Sequence, residues 1–371
     1  QLKTHGRYVC LCVEAGLGGY TFVDEIEVFG GPTDFLQLAY AGQAFDSPKE
    51  RMRRSVADDL LRAQFRRGLD AVRDDIAALP KNAQGKLTAL ADSLAGRIGE
   101  YRAPDLTTLR AVLPVDPLEA DIFRLQALVW RAAGKPTLRA WGINRWEPVD
   151  SFSEPAAAGP AQAVEVHTMN HEWRAGVVNL TNAGDADLRV RLKVTGLPGG
   201  DNPPYLQAHE VLTVGTRRFV PVSSALPEAR REGRDFIITV PCGMTRQVWL
   251  SFKPENVPAK TYAGQIEITP ATGNKQIVPL KLVVYPLRFP DRTTLCVGGW
   301  DYTDADAMYG ITPQNKAAVV EHLKEHCVNT PWATSSVMFS VQVDDNGQIK
   351  LPADTTRFDN WVKLWPDARM Y

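Results

Sequence analysis

The sequence predicts a multidomain α+β chain: a β-hairpin, a helical bundle, an Ig-like β-sandwich, and then the first β/α units of an incomplete (β/α)8 barrel. Three observations carry this. Apolar residues alternate with period two at the start of the chain, recur at about 3.6 between positions 47 and 136, and return to short alternating runs from 163 onward. After Pro290 the grammar changes to strand followed by helix. The length of 371 residues, at about 150 per domain, requires more than one buried core.

Composition narrows the class. Hydrophobic residues at 44% and charged residues at 23% exclude a disordered or fibrous chain. With 42 Lys and Arg against 43 Asp and Glu, the net charge of −1 supplies no field to recruit nucleic acid or an anionic membrane, so neutral partners are expected. The 28 glycines and 26 prolines call for many turns rather than a linker polymer. No apolar run approaches the roughly 20 residues of a membrane span. The chain begins with Gln1 and shows no basic-then-apolar leader, from which it is expected to be processed or part of a longer protein.

The opening reads as strand, turn, strand: 7–13 and 20–29 flank Gly16, Gly18 and Gly19. Ser47, Pro48 and Glu50 form a capping box, after which Phe65, Leu69, Val72, Ile76 and Leu79 mark one helical stripe. A second stripe carries Leu87, Leu90, Leu94, Ile98 and Tyr101. Asp116 and Pro117 start a third helix with Ile122, Leu125 and Val129 inward, stopped by Gly134 and Pro136. The three helices are expected to pack against one another. A short strand at 138–143 precedes a Pro, Ala and Gly-rich tether at 153–162.

Eight short strands follow, at 164–169, 172–181, 187–194, 206–214, 235–240, 245–252, 262–269 and 276–285, the spacing of an Ig-like sandwich. Beyond Pro290 come a strand at 293–297, a helix from Thr312 to Cys327, a strand at 328–330, a hairpin turn at Asp344 to Gly347, a helix at 358–365 and the lead-in to a third strand at 366–371.

Candidate chemistry is sparse. Cys10, Cys12, Cys242, Cys296 and Cys327 have no metal-ligand spacing, and Cys10 and Cys12 project too nearly parallel from one strand face to bridge; all five are read as small buried hydrophobes. His322, Glu325 and His326 fit the H-x-x-E-H pattern of inverted zinc peptidases. That chemistry needs a further acidic ligand in a large downstream α/β domain, so the segment is read as an amphipathic helix with outward histidines, and no metal is assigned. His167, His171 and His209 stand without a ligand cluster, and the pair His171 and Glu172 is read as structural. No G-x-S-x-G, Walker or dinucleotide pattern occurs, and no cofactor or catalytic residue is assigned.

Barrel geometry instead directs attention to strand ends. Trp300, Asp301 and Tyr302 follow the first expected strand and Trp332 the second, where side chains face the cleft. Aromatic faces that stack on sugar rings, beside a carboxylate that accepts hydroxyl hydrogen bonds, suit a carbohydrate.

Resemblance extends this reading. The opening phrase RYVCLCVEAGLGGYTFVDEIEVFGG resembles the last strands of a galactose-binding-like (discoidin-like) jelly roll. NLTNAG followed by LRVRL, and VPAKTYAGQIEI followed by VPLKLVVY, are similar to bacterial Ig-like modules. The run LKLVVYPLRFP, then LCVGGWDY and HLKEHCVNTPWA, resembles glycoside hydrolase family 123 and its relatives over 163–371. Periodicity, composition and these resemblances together divide the chain into 1–46 as a jelly-roll tail, 47–136 as a helical bundle, 137–162 as strand and linker, 163–290 as sandwich and 291–371 as the start of a barrel.

It further implies a secreted, extracytoplasmic bacterial parent that cleaves glycans, including those containing N-acetylhexosamine, with an adjacent Asp-Glu pair on a later barrel strand and the substrate's N-acetyl group as nucleophile. Asp24 and Glu25 match that pair by letter only and take no role. On this reading the present chain is inactive alone and supplies accessory domains and one wall of the cleft. The alternative is a non-catalytic carbohydrate-binding or scaffold protein, since fold does not guarantee activity.

Overall fold

The computed structural model describes residues 30–37, 48–104, 111–155, 161–216, 220–305, 308–338, 343–348 and 354–371. The expected hairpin at 7–29, with Cys10, Cys12, Asp24 and Glu25, lies outside the described residues, as does Ser47 of the capping box. Within them the chain is mixed α/β, with five α-helices and two β-sheets.

Helices α1 (Pro48–Ala78), α2 (Lys81–Glu100) and α3 (Pro117–Ala132) pack as the stripes predict. Phe65, Leu69, Val72 and Ile76 of α1 meet Leu87, Ala91, Leu94 and Ile98 of α2 and Ile122, Leu125 and Val129 of α3 in one core, each large side chain contributing about 1.5–3 kcal/mol through burial. Leu90 is corrected: it is exposed, because the inward stripe of α2 runs 87, 91, 94, 98 and Ala91 takes that place. Asp116 caps α3, its carboxylate accepting the Leu118 N–H at 2.8 Å. The buried Glu119 side chain accepts from Gln64 Nε2 at 2.6 Å and from the Val115 N–H at 2.7 Å, while burial pushes its pKa up.

The sandwich is built from β1 (Leu138–Gly142), β2 (Val164–Asn170), β3 (Arg174–Asn182), β4 (Leu188–Thr195), β5 (Leu206–Gly215), β6 (Pro221–Ala225), β7 (Arg230–Glu232), β8 (Asp235–Val240), β9 (Thr245–Phe252), β10 (Lys260–Pro270) and β11 (Gln276–Arg288). One sheet runs β1-β3-β9-β5-β6 and the other β2-β11-β10-β4-β8-β7. Every pairing is antiparallel except β2 with β11. In β4, Val190, Leu192 and Val194 point inward while Arg189, Arg191 and Lys193 face out to Glu232, Asp235 and Asp201. Inward residues of both sheets, among them Leu180, Phe236, Leu250, Phe252, Ile266 and Leu282, form one core.

Strands β6 and β7 were not expected; PVSSA and RRE carry no apolar alternation and are held by their neighbours. The strand at 138 belongs to the sandwich edge, paired with β3. The chain entering the tether is stitched down: Thr245 N–H donates to Ser151 O at 2.8 Å, Thr245 Oγ1 to Ser153 O at 2.7 Å and Ser223 Oγ to Val149 O at 2.7 Å. Glu172, expected beside His171, pairs instead with Arg174 at 2.8 Å.

Beyond Arg288 the expected strands at 293–297 and 328–330 are not found among the described residues. Helices α4 (Lys316–Glu325) and α5 (Thr356–Leu364) form, yet no described residue after Arg288 belongs to a β-strand. Residues 293–297, 328–330 and 369 meet through single bonds: Asn329 and Thr330 N–H to Val297 O at 2.9 and 3.0 Å, and Arg369 N–H to Asn329 O at 2.7 Å. The Asn329 side chain fills the remaining bonds, accepting from Val297 N–H and donating to Leu295 O, both at 2.9 Å. The Asn329 side chain thus takes two of the bonds that a strand partner would otherwise make, at Val297 N–H and Leu295 O. The turn at Asp344 to Gly347 does form, with Gly347 N–H on Asp344 O at 2.9 Å. Of the cysteines, Cys242 is buried, Cys327 half-buried and Cys296 exposed, which corrects the reading of Cys296 as core.

Candidate functional site

The loops after Val297 and Thr330 are held together from below. A β-carbon on Gly298 would lie 1.8 Å from Thr330 O, so the two backbones touch where only glycine fits. Above this point both carboxylate oxygens of Asp301 lie 3.2 Å from the Trp332 backbone nitrogen. Further along the two loops, three residues past Asp301 and two past Trp332, Asp304 accepts from Thr334 N–H at 3.0 Å and from Thr334 Oγ1 at 2.5 Å. Two aspartates on one loop therefore clamp the other.

Asp301 is half-buried, and its pKa rises from 3.8 to about 6. Desolvation is the main cause; the backbone donors of Trp332 and Thr303 pull the other way, and the neighbouring Asp304 charge adds to the rise. The indoles around it are open: Trp300 is 69% exposed and Trp332 47%. Tyr302, at φ +41°, stacks on Tyr309, at φ +51°, with centroids 6.1 Å apart and planes 7° from parallel. Beneath them Trp365 donates to Thr303 Oγ1 at 2.9 Å.

Of the four residues singled out in the sequence, the structure joins Asp301 to Trp332 by a direct bond and sets Tyr302 against Tyr309. Among the described residues neither the Trp300 ring nor the Trp332 ring packs on another ring. Sequence reasoning missed Asp304, Thr334 and Tyr309; the first two carry the signal of matching positions three and two residues past Asp301 and Trp332, whereas Tyr309 carries none. Open aromatic faces can stack on apolar sugar faces, and a carboxylate with its pKa raised to about 6 can accept hydroxyl hydrogen bonds when ionised.

The histidines lie elsewhere. His322 on α4 and His326, which caps its C-terminal end, have ring centroids 4.4 Å apart; His326 Nδ1 lies 2.8 Å from His322 O, and its ring stacks on Trp173. Among the described residues no group of three His, Cys, Asp or Glu is placed to hold a metal ion. His167 Nδ1 lies 2.9 Å from the Tyr285 hydroxyl. Among those residues also, no helix is long and apolar enough to cross a membrane.

No protein-family model matches the chain, and no curated protein matches it. Among solved structures, a family 123 glycoside hydrolase from Clostridium perfringens, described for glycolipid glycan hydrolysis, is similar at 13% identity and a TM-score of 0.42, over 62% of this chain and 45% of that one. The chain thus spans less than half the length of that hydrolase. A PapD-like domain of human CEP192 is similar at 12% identity and a TM-score of 0.21, covering 38% of this chain and all of that domain. The periplasmic chaperone SfaE is similar at 12% identity and a TM-score of 0.21, over 35% of this chain and 58% of its own.

Proposed function

We propose that this chain is a segment of a secreted carbohydrate-active protein and that Trp300, Asp301, Tyr302 and Trp332 contact a glycan. The observation that carries the reading is the Asp301 carboxylate bound to the Trp332 backbone N–H, with the Trp300 and Trp332 side chains both exposed. A core-filling role would bury such rings; these face solvent. The parent is proposed to be a glycoside hydrolase that cleaves O-glycosidic bonds of glycans, N-acetylhexosamine-containing ones included. This segment supplies accessory domains and part of the cleft. The barrel belongs to the same proposal, supported by the way 293–297, 328–330 and 369 lie side by side in sequence order.

The test is tryptophan fluorescence titration of the chain with a panel of neutral and N-acetylated oligosaccharides, alongside hydrolysis of aryl N-acetylhexosaminides. Binding that Trp300→Ala and Trp332→Ala each weaken supports the site. A panel in which no sugar perturbs the fluorescence overturns it. Binding without turnover by the parent protein favours the non-catalytic carbohydrate-binding alternative.

A further inference from the structure

Three histidines meet where α4 lies against the sandwich. His209 of β5 stands directly opposite Trp249 of β9, whose neighbours Val248 and Leu250 point into the core, so both side chains lie on the outer face of that sheet. Toward the same sheet α4 presents His322 and, at its C-terminal end, His326. The His326 ring stacks on Trp173, the residue before β3, with centroids 5.5 Å apart and planes 8° from parallel, and the His322 ring lies 4.4 Å from it. Just past β9, Lys253 Nζ lies 5.2 Å from the centroid of the Trp173 ring. Both sides of the contact therefore carry groups that are cationic or become so on acidification.

His209 is built to stay neutral here. Its Nδ1 is buried without a hydrogen-bond partner among the described residues, so a proton placed on it would be a donor lacking an acceptor on a charged ring. Desolvation and the charges of His322 and His326 push its pKa below the ordinary 6.5, while Glu228 and the Trp249 backbone act the other way. The remaining charges at the contact are largely matched: Lys324 pairs with Glu321 on α4, and Arg174 of β3 with Glu172. His171 faces Asp291, which also pairs with Arg288, so its protonation strengthens that link. His326 takes the first proton of the pair on α4, because its Nδ1–H already donates to His322 O and helix carbonyl ends, like the neighbouring Glu325, favour a cation. The next charge, on His322 or His209, then meets repulsion from His326 and Lys253.

We infer that this contact is a pH-dependent latch: with its histidines neutral, the end of α4 docks on the outer face of the β3-β9-β5 sheet, and their protonation releases it. The inference stands apart from the glycan reading. In the released state both nitrogens of His209 reach water and its neighbours' charges withdraw, so that state binds more protons. Docking is therefore fully present above the ordinary histidine value of 6.5 and is lost as pH falls below it. From α4 the chain turns back, Val328 N–H on Leu323 O at 3.0 Å, and runs on to Trp332, so release changes how the surface around Asp301 and Trp332 is held against the sandwich.

The experiment is hydroxyl-radical footprinting of the 371-residue chain at about pH 7.5 and about pH 5, read by mass spectrometry at single tryptophans. Trp173, half-buried under His326, reports the latch; Trp146, 76% exposed, is the reference; Trp141, 5% exposed on β1, reports unfolding of the sandwich. Modification of Trp173 relative to Trp146 is expected to rise by about threefold or more at the lower pH, with Trp141 unchanged. His209→Gln, which carries no charge, is expected to cut that rise by about half or more. The double variant His322→Gln with His326→Phe keeps a ring on Trp173, changes only exposed positions and is expected to abolish the rise, which decides the matter should His209→Gln fail to fold by circular dichroism. No rise at Trp173 in the wild type overturns the latch. So does a parallel rise at Trp141, which would be acid unfolding, and so does a rise of wild-type size in either folded variant.

Discussion

Trp365 donates its indole N–H to the hydroxyl of Thr303 at 2.9 Å, and both groups are buried. The end of α5 thereby pins the turn that carries Asp301. Thr303→Val keeps the shape and removes the acceptor, leaving the indole N–H unpaired. It is expected to cost about 1–3 kcal/mol in urea unfolding, with Thr303→Ser restoring most of it. Equal stability of the valine variant would show that the bond contributes nothing.

Asp301 makes stability depend on pH. Its folded-state pKa, about 6, stands above the ordinary 3.8, so the folded chain holds more protons than the unfolded one between these values. The contribution is fully present below the lower value and is lost as pH rises through the higher one. Asp301→Asn keeps an acceptor for the Trp332 N–H and carries no charge. Wild type is therefore expected to lose melting temperature relative to this variant on going from about pH 4 to about pH 7. A constant difference across that range contradicts the assignment.

The side chain of Asn182 holds three backbone groups at one turn. Nδ2 donates to Ala186 O and to Val240 O, both at 2.9 Å, and Oδ1 accepts from Gly184 N–H at 2.8 Å. Asn182→Ala orphans these groups beside the core and is expected to destabilise by about 2–3 kcal/mol in chemical denaturation.

Gly243, at φ +71°, sets the sandwich against α3. A β-carbon there would lie 1.7 Å from Phe123 O, an overlap with backbone that no rotamer change relieves. Gly243→Ala is expected to cost more than about 3 kcal/mol, whereas Gly233→Ala, also at positive φ but in open space, is expected to cost about 1 kcal/mol.

Trp300 and Trp332 stand exposed, so replacing either by alanine is expected to move the melting temperature little, by less than about 0.5 kcal/mol in equivalent stability. A large loss would mean that these rings hold the fold rather than face a ligand.

The sandwich and bundle were legible because their signals are local. Alternation in LRVRLKV places Leu188, Val190, Leu192 and Val194 inward, and the 65, 69, 72, 76 spacing places the α1 stripe on one face; each is a property of neighbours along the chain. The stretch after Pro290 was legible in its helices and in the turn at Asp344 to Gly347, but not in its expected strands. Short β-rich runs such as 293–297 become strands when a partner supplies a ladder, and here the Asn329 side chain supplies those bonds instead.

For the site, residue type and position were readable and association was not. Trp300, Asp301, Tyr302 and Trp332 could be named from their places after apolar runs. That Asp301 bonds to the Trp332 N–H 31 residues away, and that burial lifts its pKa, depends on how closely Gly298 and Thr330 approach. Periodicity, charge balance and turn chemistry arise from residues within a few positions of each other, so the linear order of the chain carries them. Desolvation and contacts across loops depend on distances that exist only once the chain has closed on itself.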